Sequence, residues 1–306
     1  MDVNTSDVNI GDGIGRALKS HLHPSAWQWL SSQVERIAVD PDPGLVARIF
    51  TSLMRELKSD NKPSLVSLNE ALKCTHGLPL IVQGWTTVRL ARVWVLACIP
   101  KLDETNYMQL IERLFKYGDM EELAALYSGL SIYHYPEAWL PRCKEGIRSN
   151  IGHVRHAVMV NNAYPAYYLD EDAWNQLVLK AFFTEEDIPH IIGLKRRNNM
   201  RLAHALTDYA YERHAAQREI NPMLWILVGP FMDDRAFELM RHVMGESKRA
   251  FEQQAITYAF KHSSHEGGQQ YLWDQDIPVS LLESRGTPWE GWDSDSGDTK
   301  NKDTNQ

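Results

Sequence analysis

An all-α fold is predicted by three features of the sequence. Apolar residues fall in stripes of helical period, and the two-residue alternation of a half-buried strand is missing. The stripes are short, and breaks such as Asp40-Pro41-Asp42-Pro43-Gly44 separate them. Many short helices joined by short breaks pack as an irregular α-solenoid or stacked helical hairpins, with an irregular bundle as the competing arrangement. No strict repeat period is visible, which argues against a regular array.

In chain order, residues 1–15 are expected to be a disordered N-terminus, with three glycines, several Asp and Asn and little apolar material. A helix follows over 24–38, with Pro24 in its first turn. Further helices are expected over 45–57, 63–74, 86–99 (stopped by Pro100), 105–116 and 120–128. The pattern continues over 136–148, 151–159, 170–183, 199–216, 222–228, 234–244 and 247–262. One all-helical domain is thus expected over 16–262. Residues 263–306 read as a disordered acidic tail rich in Gly, Ser and Asp, with isolated Trp273, Trp289 and Trp292.

Composition narrows the function. With 306 residues, 43% of them hydrophobic, the chain has enough apolar material for a core without disulfides or metals. A net charge of −8 argues against nucleic acid as a partner, because a non-specific binder needs a basic face. Cys74, Cys98 and Cys143 are odd in number and scattered, which points to reduced thiols in a cytoplasmic protein. The N-terminus lacks an apolar signal-peptide core, and the longest apolar run, 93–99, falls far short of the ~20 residues that span a bilayer.

The informative residues are polar ones on apolar helix faces. On the helix expected over 199–216, Leu202, Leu206 and Tyr209 share a meridian with Arg213, so Arg213 is expected to point inward. A buried guanidinium keeps its charge and needs either an anionic ligand or a structural carboxylate. His204, Asp208 and Glu212 have helical ligand spacing but lie on the solvated face, and no HExxH or CxxC pattern supports a metal. The helix over 170–183 is apolar over most of its circumference, with Gln176 and Lys180 as one polar stripe and Asn175 between Phe182 and Leu179. Asn175 needs a partner there. Lys180 is either an activated amine or a side chain that snorkels to solvent or pairs with an acid. Arg89 and Arg92 share a stripe of a mostly apolar helix, as an anion receptor or as partners of acids on the next helix. Tyr164, Tyr167 and Tyr168 wall a pocket or plug a gap between helical layers. Nucleophile-elbow, Walker and dinucleotide-glycine motifs are missing, and no cofactor or metal is expected.

The stretch from Trp174 to Phe183, WNQLVLKAFF, resembles the WNQMVLKALF segment of the EboA family. Arg148-Ser149-Asn150, Asn162-Ala163-Tyr164-Pro165 and Asp208-Tyr209-Ala210-Tyr211-Glu212-Arg213 resemble its RTN, NPYP and DYAHER pieces. Gly84-Trp85-Thr86, Ala91-Arg92 and the run from Leu114-Phe115 to Leu126-Tyr127 fit the family order, so the resemblance covers residues 24–230. The chain departs from the family's GLDxRxNP at Lys195 and Met200, losing an acid and a helix-starting proline. The resemblance implies a place in a specialised-metabolite gene cluster that also encodes a UbiA-like prenyltransferase, a sugar-phosphate-cyclase-like enzyme and TIM-barrel proteins. It implies a pathway more than a reaction.

Together these readings lead to an expected protein of secondary-metabolite biosynthesis or export. It would bind a pathway intermediate in a central helical pocket, with Lys180 and Asn175 orienting or activating it. Arg92, Arg148 and Arg213 would hold an anionic group, with Asn150, Asn162, Tyr164 and Gln176 as further contacts. Two alternatives stand beside it. One is a non-catalytic α-solenoid scaffold that recruits a membrane prenyltransferase or transporter. The other is a cofactor-independent cyclase or isomerase.

Overall fold

The computed structural model describes residues 10–58, 72–73 and 77–274. Among these the chain is mostly helical, with fifteen α-helices and one antiparallel pair of two-residue strands. No helix among them is long and apolar enough to cross a membrane. The chain divides into two compact units, Met1–Asp170 and Glu171–Gln306, where the sequence reading has one domain. The boundary falls inside an ordinary polar helix start, Asp170-Glu171-Asp172, which carries no mark of a linker.

The first unit begins with α1 (Ile10–His21), a correction to the expected disorder of residues 10–15. The glycines read as loosening the chain instead bring it close to α4 (Thr87–Ala97): a Cβ on Gly15 would sit 3.1 Å from the Trp94 ring. The Trp94 indole N–H donates to the Gly11 carbonyl at 2.7 Å, and Trp27 of α2 (Pro24–Val39) stacks on the same ring. Helix α3 (Pro43–Glu56) starts where the Asp42 carboxylate accepts from the Leu45 N–H, 2.7 Å away, a side-chain N-cap. Leu72–Lys73, expected at the end of a helix, instead form β1, paired with β2 (Pro79–Leu80) in the register Leu72 to Leu80. The remainder of that expected helix, with Cys74, lies outside the described residues.

Helices α5 (Glu104–Tyr117) and α6 (Met120–Ser128) follow the predicted boundaries within a residue. Asp119 and Glu122 close a reciprocal capping box at the start of α6. Residues 136–148 form a 3-10 turn, Pro136–Trp139, and then α7 (Leu140–Arg148). Helices α8 (Gly152–Met159) and α9 (Tyr164–Tyr168) complete the unit. Its core is an aromatic cluster in which Phe115 meets Tyr127 and Tyr133 meets Trp139, each with ring centroids 5.0 Å apart. Gly146 lets α7 settle into this core. A Cβ there would lie 2.6 Å from both Tyr127 and Val158.

The second unit contains α10 (Glu171–Phe183), α11 (Met200–Ala215), α12 (Met223–Val228), α13 (Asp234–Glu246), α14 (Ala250–Lys261) and α15 (Glu266–Asp274). All six residues of α12 are buried, and it packs on α14. Residues 266–274 are therefore helical, a correction to the expected tail, and Gly268 packs against Phe260. The rest of the tail, including Trp289 and Trp292, lies outside the described residues, as do residues 1–9.

Candidate functional site

In the first unit, α4 carries Arg92, whose side chain is only 2% exposed. It is answered by Glu122 of α6, with Nη2 and Oε1 3.6 Å apart, and its Nε donates to the Phe50 carbonyl at 3.5 Å. The guanidinium also lies over the Phe50 ring. Arg89, one turn earlier, faces Glu121 at 3.7 Å, and Glu121 also holds His153. Burial lowers the pKa of both arginines, and the glutamates oppose that shift. The arginine stripe thus meets acids, but from α6 rather than from the next helix, α5. Long ion-pair distances leave both pairs geometrically loose: Arg89 Nε and Glu122 Oε1 have no hydrogen-bond partner among the described residues.

Asn162 and Tyr164 are brought together. The Asn162 amide donates to the carbonyls of Tyr127 at 3.0 Å and Ala157 at 2.9 Å, and its oxygen accepts from the Tyr164 N–H at 3.1 Å and from Ser131 Oγ at 3.4 Å. Tyr164 is fully buried, donates its hydroxyl to the Pro136 carbonyl and stacks on Tyr168. Desolvation pushes its phenol well above the ordinary tyrosine range. Both residues therefore bond to the surrounding fold. Arg148 and Asn150 are exposed at the end of α7 and in the turn after it.

In the second unit, Asn175 is buried and finds its partner in a side chain. Its Nδ2 donates to Asn199 Oδ1 at 3.2 Å, and Asn199 Nδ2 donates back to Asn175 Oδ1 at 2.9 Å. Asn199 is the N-cap of α11, where its oxygen accepts from the Leu202 N–H at 2.9 Å. The chain before it, turned by Gly193 at φ 83, lays the Arg197 guanidinium over the Trp174 ring, 4.9 Å from its centroid. Asn198 donates to the Leu227 carbonyl at 2.8 Å. Two atoms of this cluster are buried without a hydrogen-bond partner among the described residues: the indole N–H of Trp174, in a side chain with no exposure, and Asn198 Oδ1. Sequence reasoning singled out Asn175 here but missed Trp174, Arg197 and Asn198. For Arg197 and Asn198 the signal was the substituted loop after Gly193, and for Trp174 the segment 174–183 that carries the family resemblance.

The stripe of Gln176 and Lys180 runs elsewhere on α10. Gln176 is exposed and Lys180 half-buried. Five residues separate Asn175 from Lys180, roughly 140° around the helix, so the two expected to act on one substrate face different ways. Phe183, part of the apolar circumference that was expected to be covered, is 61% exposed. Arg213 also departs from expectation. It is half-buried, and its Nε and Nη2 donate to the Glu219 carbonyl, the former at 2.9 Å, with no carboxylate partner among the described residues. The wheel failed because Arg213 stands in the last turn of α11, where the chain reverses through Gln217 at φ 53 and returns a backbone carbonyl to it. His204 and Asp208 face Asp233 and Arg235, and Glu212 is exposed.

The fold and these clusters define an all-helical protein whose buried polar groups are largely bonded to one another. Residues 10–229 match the family described as metabolite traffic protein EboA, and the chain belongs to that family. A search of curated proteins and a search of solved structures each find no match.

Proposed function

We propose that the protein binds a small pathway metabolite and passes it on without changing its bonds. The observation that carries this reading is the pair of unpartnered atoms in the second unit, Trp174 Nε1 and Asn198 Oδ1. Their residues are the chain neighbours of Asn175 and Asn199, whose amides are closed on each other. A buried polar atom without a partner costs about 1–3 kcal/mol, a cost that a polar ligand or a water removes. Against a chemical step, Asn175 is committed to Asn199, and Lys180 lies on another side of α10. The family's description as a metabolite traffic protein agrees with transport or hand-over.

The test begins with a strain lacking the gene, in which the metabolite that accumulates is identified. Purified protein is then mixed with that metabolite and followed by native mass spectrometry. The expected result is a complex of unchanged ligand mass, weakened at least about tenfold by Trp174→Phe, which removes only the indole donor. Conversion of the metabolite would replace this reading with the cofactor-independent cyclase or isomerase. Equal binding by the variant would move the ligand to another place.

A second reading is favoured by Trp273, which is 85% exposed on α15. A tryptophan displayed on a helix suits a docking contact, as in the α-solenoid scaffold that recruits a membrane prenyltransferase or transporter. Trp273→Ala abolishes partner binding under that reading and leaves metabolite binding unchanged under the first.

A further inference from the structure

Helices α11 and α13 lie side by side in the second unit. Contacts between them pair His204 with Asp233, Asp208 with Arg235, Tyr211 with the Arg235 carbonyl, and His214 with His242. The numbers rise together, so the helices run parallel and their C-terminal ends meet. At that meeting point stand His214, the penultimate residue of α11, and His242 and Glu246, in the closing residues of α13. The two imidazole rings are 5.2 Å apart and nearly perpendicular, and His242 Nε2 is 3.2 Å from Glu246 Oε1. One ligand atom from each of the three residues lies within 4.8 Å of the other two.

We propose that His214, His242 and Glu246 bind a divalent transition metal of the zinc type. Two imidazole nitrogens and a carboxylate oxygen are a donor set suited to such ions. His242 and Glu246 are four apart and so project from one face of α13, while His214 supplies the third ligand from a different helix. Two helix C-termini converge there, and each carries about half a negative charge, which favours a cation. Tetrahedral coordination at about 2.0–2.1 Å needs ligand atoms about 3.3 Å apart. Side-chain rotation supplies that closure, because His242 and Glu246 are exposed and His214 is half-buried. The fourth position stays open to water or to an oxygen ligand such as a carboxylate. His242 and Glu246 lie beyond the residues matched by the family, and His214 lies within them.

The experiment uses the full chain without an affinity tag. Zn2+ is titrated by calorimetry, and Co2+ by its visible absorption, which is intense in tetrahedral sites. The chain has twelve histidines, so the variants decide the location. The expected result is one saturable site with a tetrahedral Co2+ band, weakened at least about tenfold in His214→Ala, His242→Ala and Glu246→Gln. Circular dichroism of the metal-free variants checks that their helices are intact. Unchanged affinity in His214→Ala would overturn the proposal, because a surface chelate within α13 alone would then account for binding. No saturable binding, or an octahedral Co2+ spectrum, would overturn it as well.

Discussion

Arg92 shows how far a single side chain can be read. Its inward direction and its need for an acid both follow from a charged residue on an apolar helix, and the structure supplies Glu122. Which glutamate answers, and from which helix, was not legible, because it depends on how α6 lies against α4. Removing the arginine alone strands a buried carboxylate. Arg92→Met is therefore expected to cost about 3–5 kcal/mol in urea unfolding. Adding Glu122→Gln is expected to recover most of that loss, since a neutral amide still accepts the Asp119 N–H that closes the capping box. A loss below about 1 kcal/mol for the single variant would mean that the pair is solvated rather than buried.

At the scale of the element, α10 and α11 were legible as helices, and α10 largely by face as well. Trp174, Leu177, Val178, Ala181 and Phe182 are buried as the period demands. Phe183 and Arg213 fail for one reason: each stands where its helix ends, and a wheel carries no information about what covers a terminus. The Asn175–Asn199 pair was illegible too, since the partners are 24 residues apart and join two helices through a reversing loop. That pair ties a mid-helix amide to a helix cap, so its two functions should fail together. Asn199→Ala removes the cap and leaves the Asn175 amide unanswered, an expected loss of roughly 2–4 kcal/mol. Asn199→Ser keeps a capping oxygen and should lose less. A double-mutant cycle with Asn175→Ala should show coupling of at least about 0.5 kcal/mol, and additive losses would show that the amide pair contributes nothing.

For the whole molecule, the all-α class and most helix positions were legible because period and breakers are local signals. The division at Asp170 was not, because it is made by packing alone. Nor was the ordering of residues 10–15, where glycine serves close approach rather than freedom. The chain's thiols report on the packing of its first unit. Burial raises the Cys98 thiol to about 12, aided by Asp12, and burial raises Cys143 still further. The thiolate is the reactive form, so a raised pKa protects both. Iodoacetamide at pH 8 is expected to spare Cys98 and Cys143 in the native protein and to modify both in urea, as peptide mass spectrometry would show. Rapid native labelling at Cys143 would contradict the packing of α7. The first unit's integrity also has a local anchor. One asparagine amide, at position 162, holds backbone or side chains at 127, 131, 157 and 164. Those four stretches consequently share a common knot, and fraying in any of them loosens the grip on the other three.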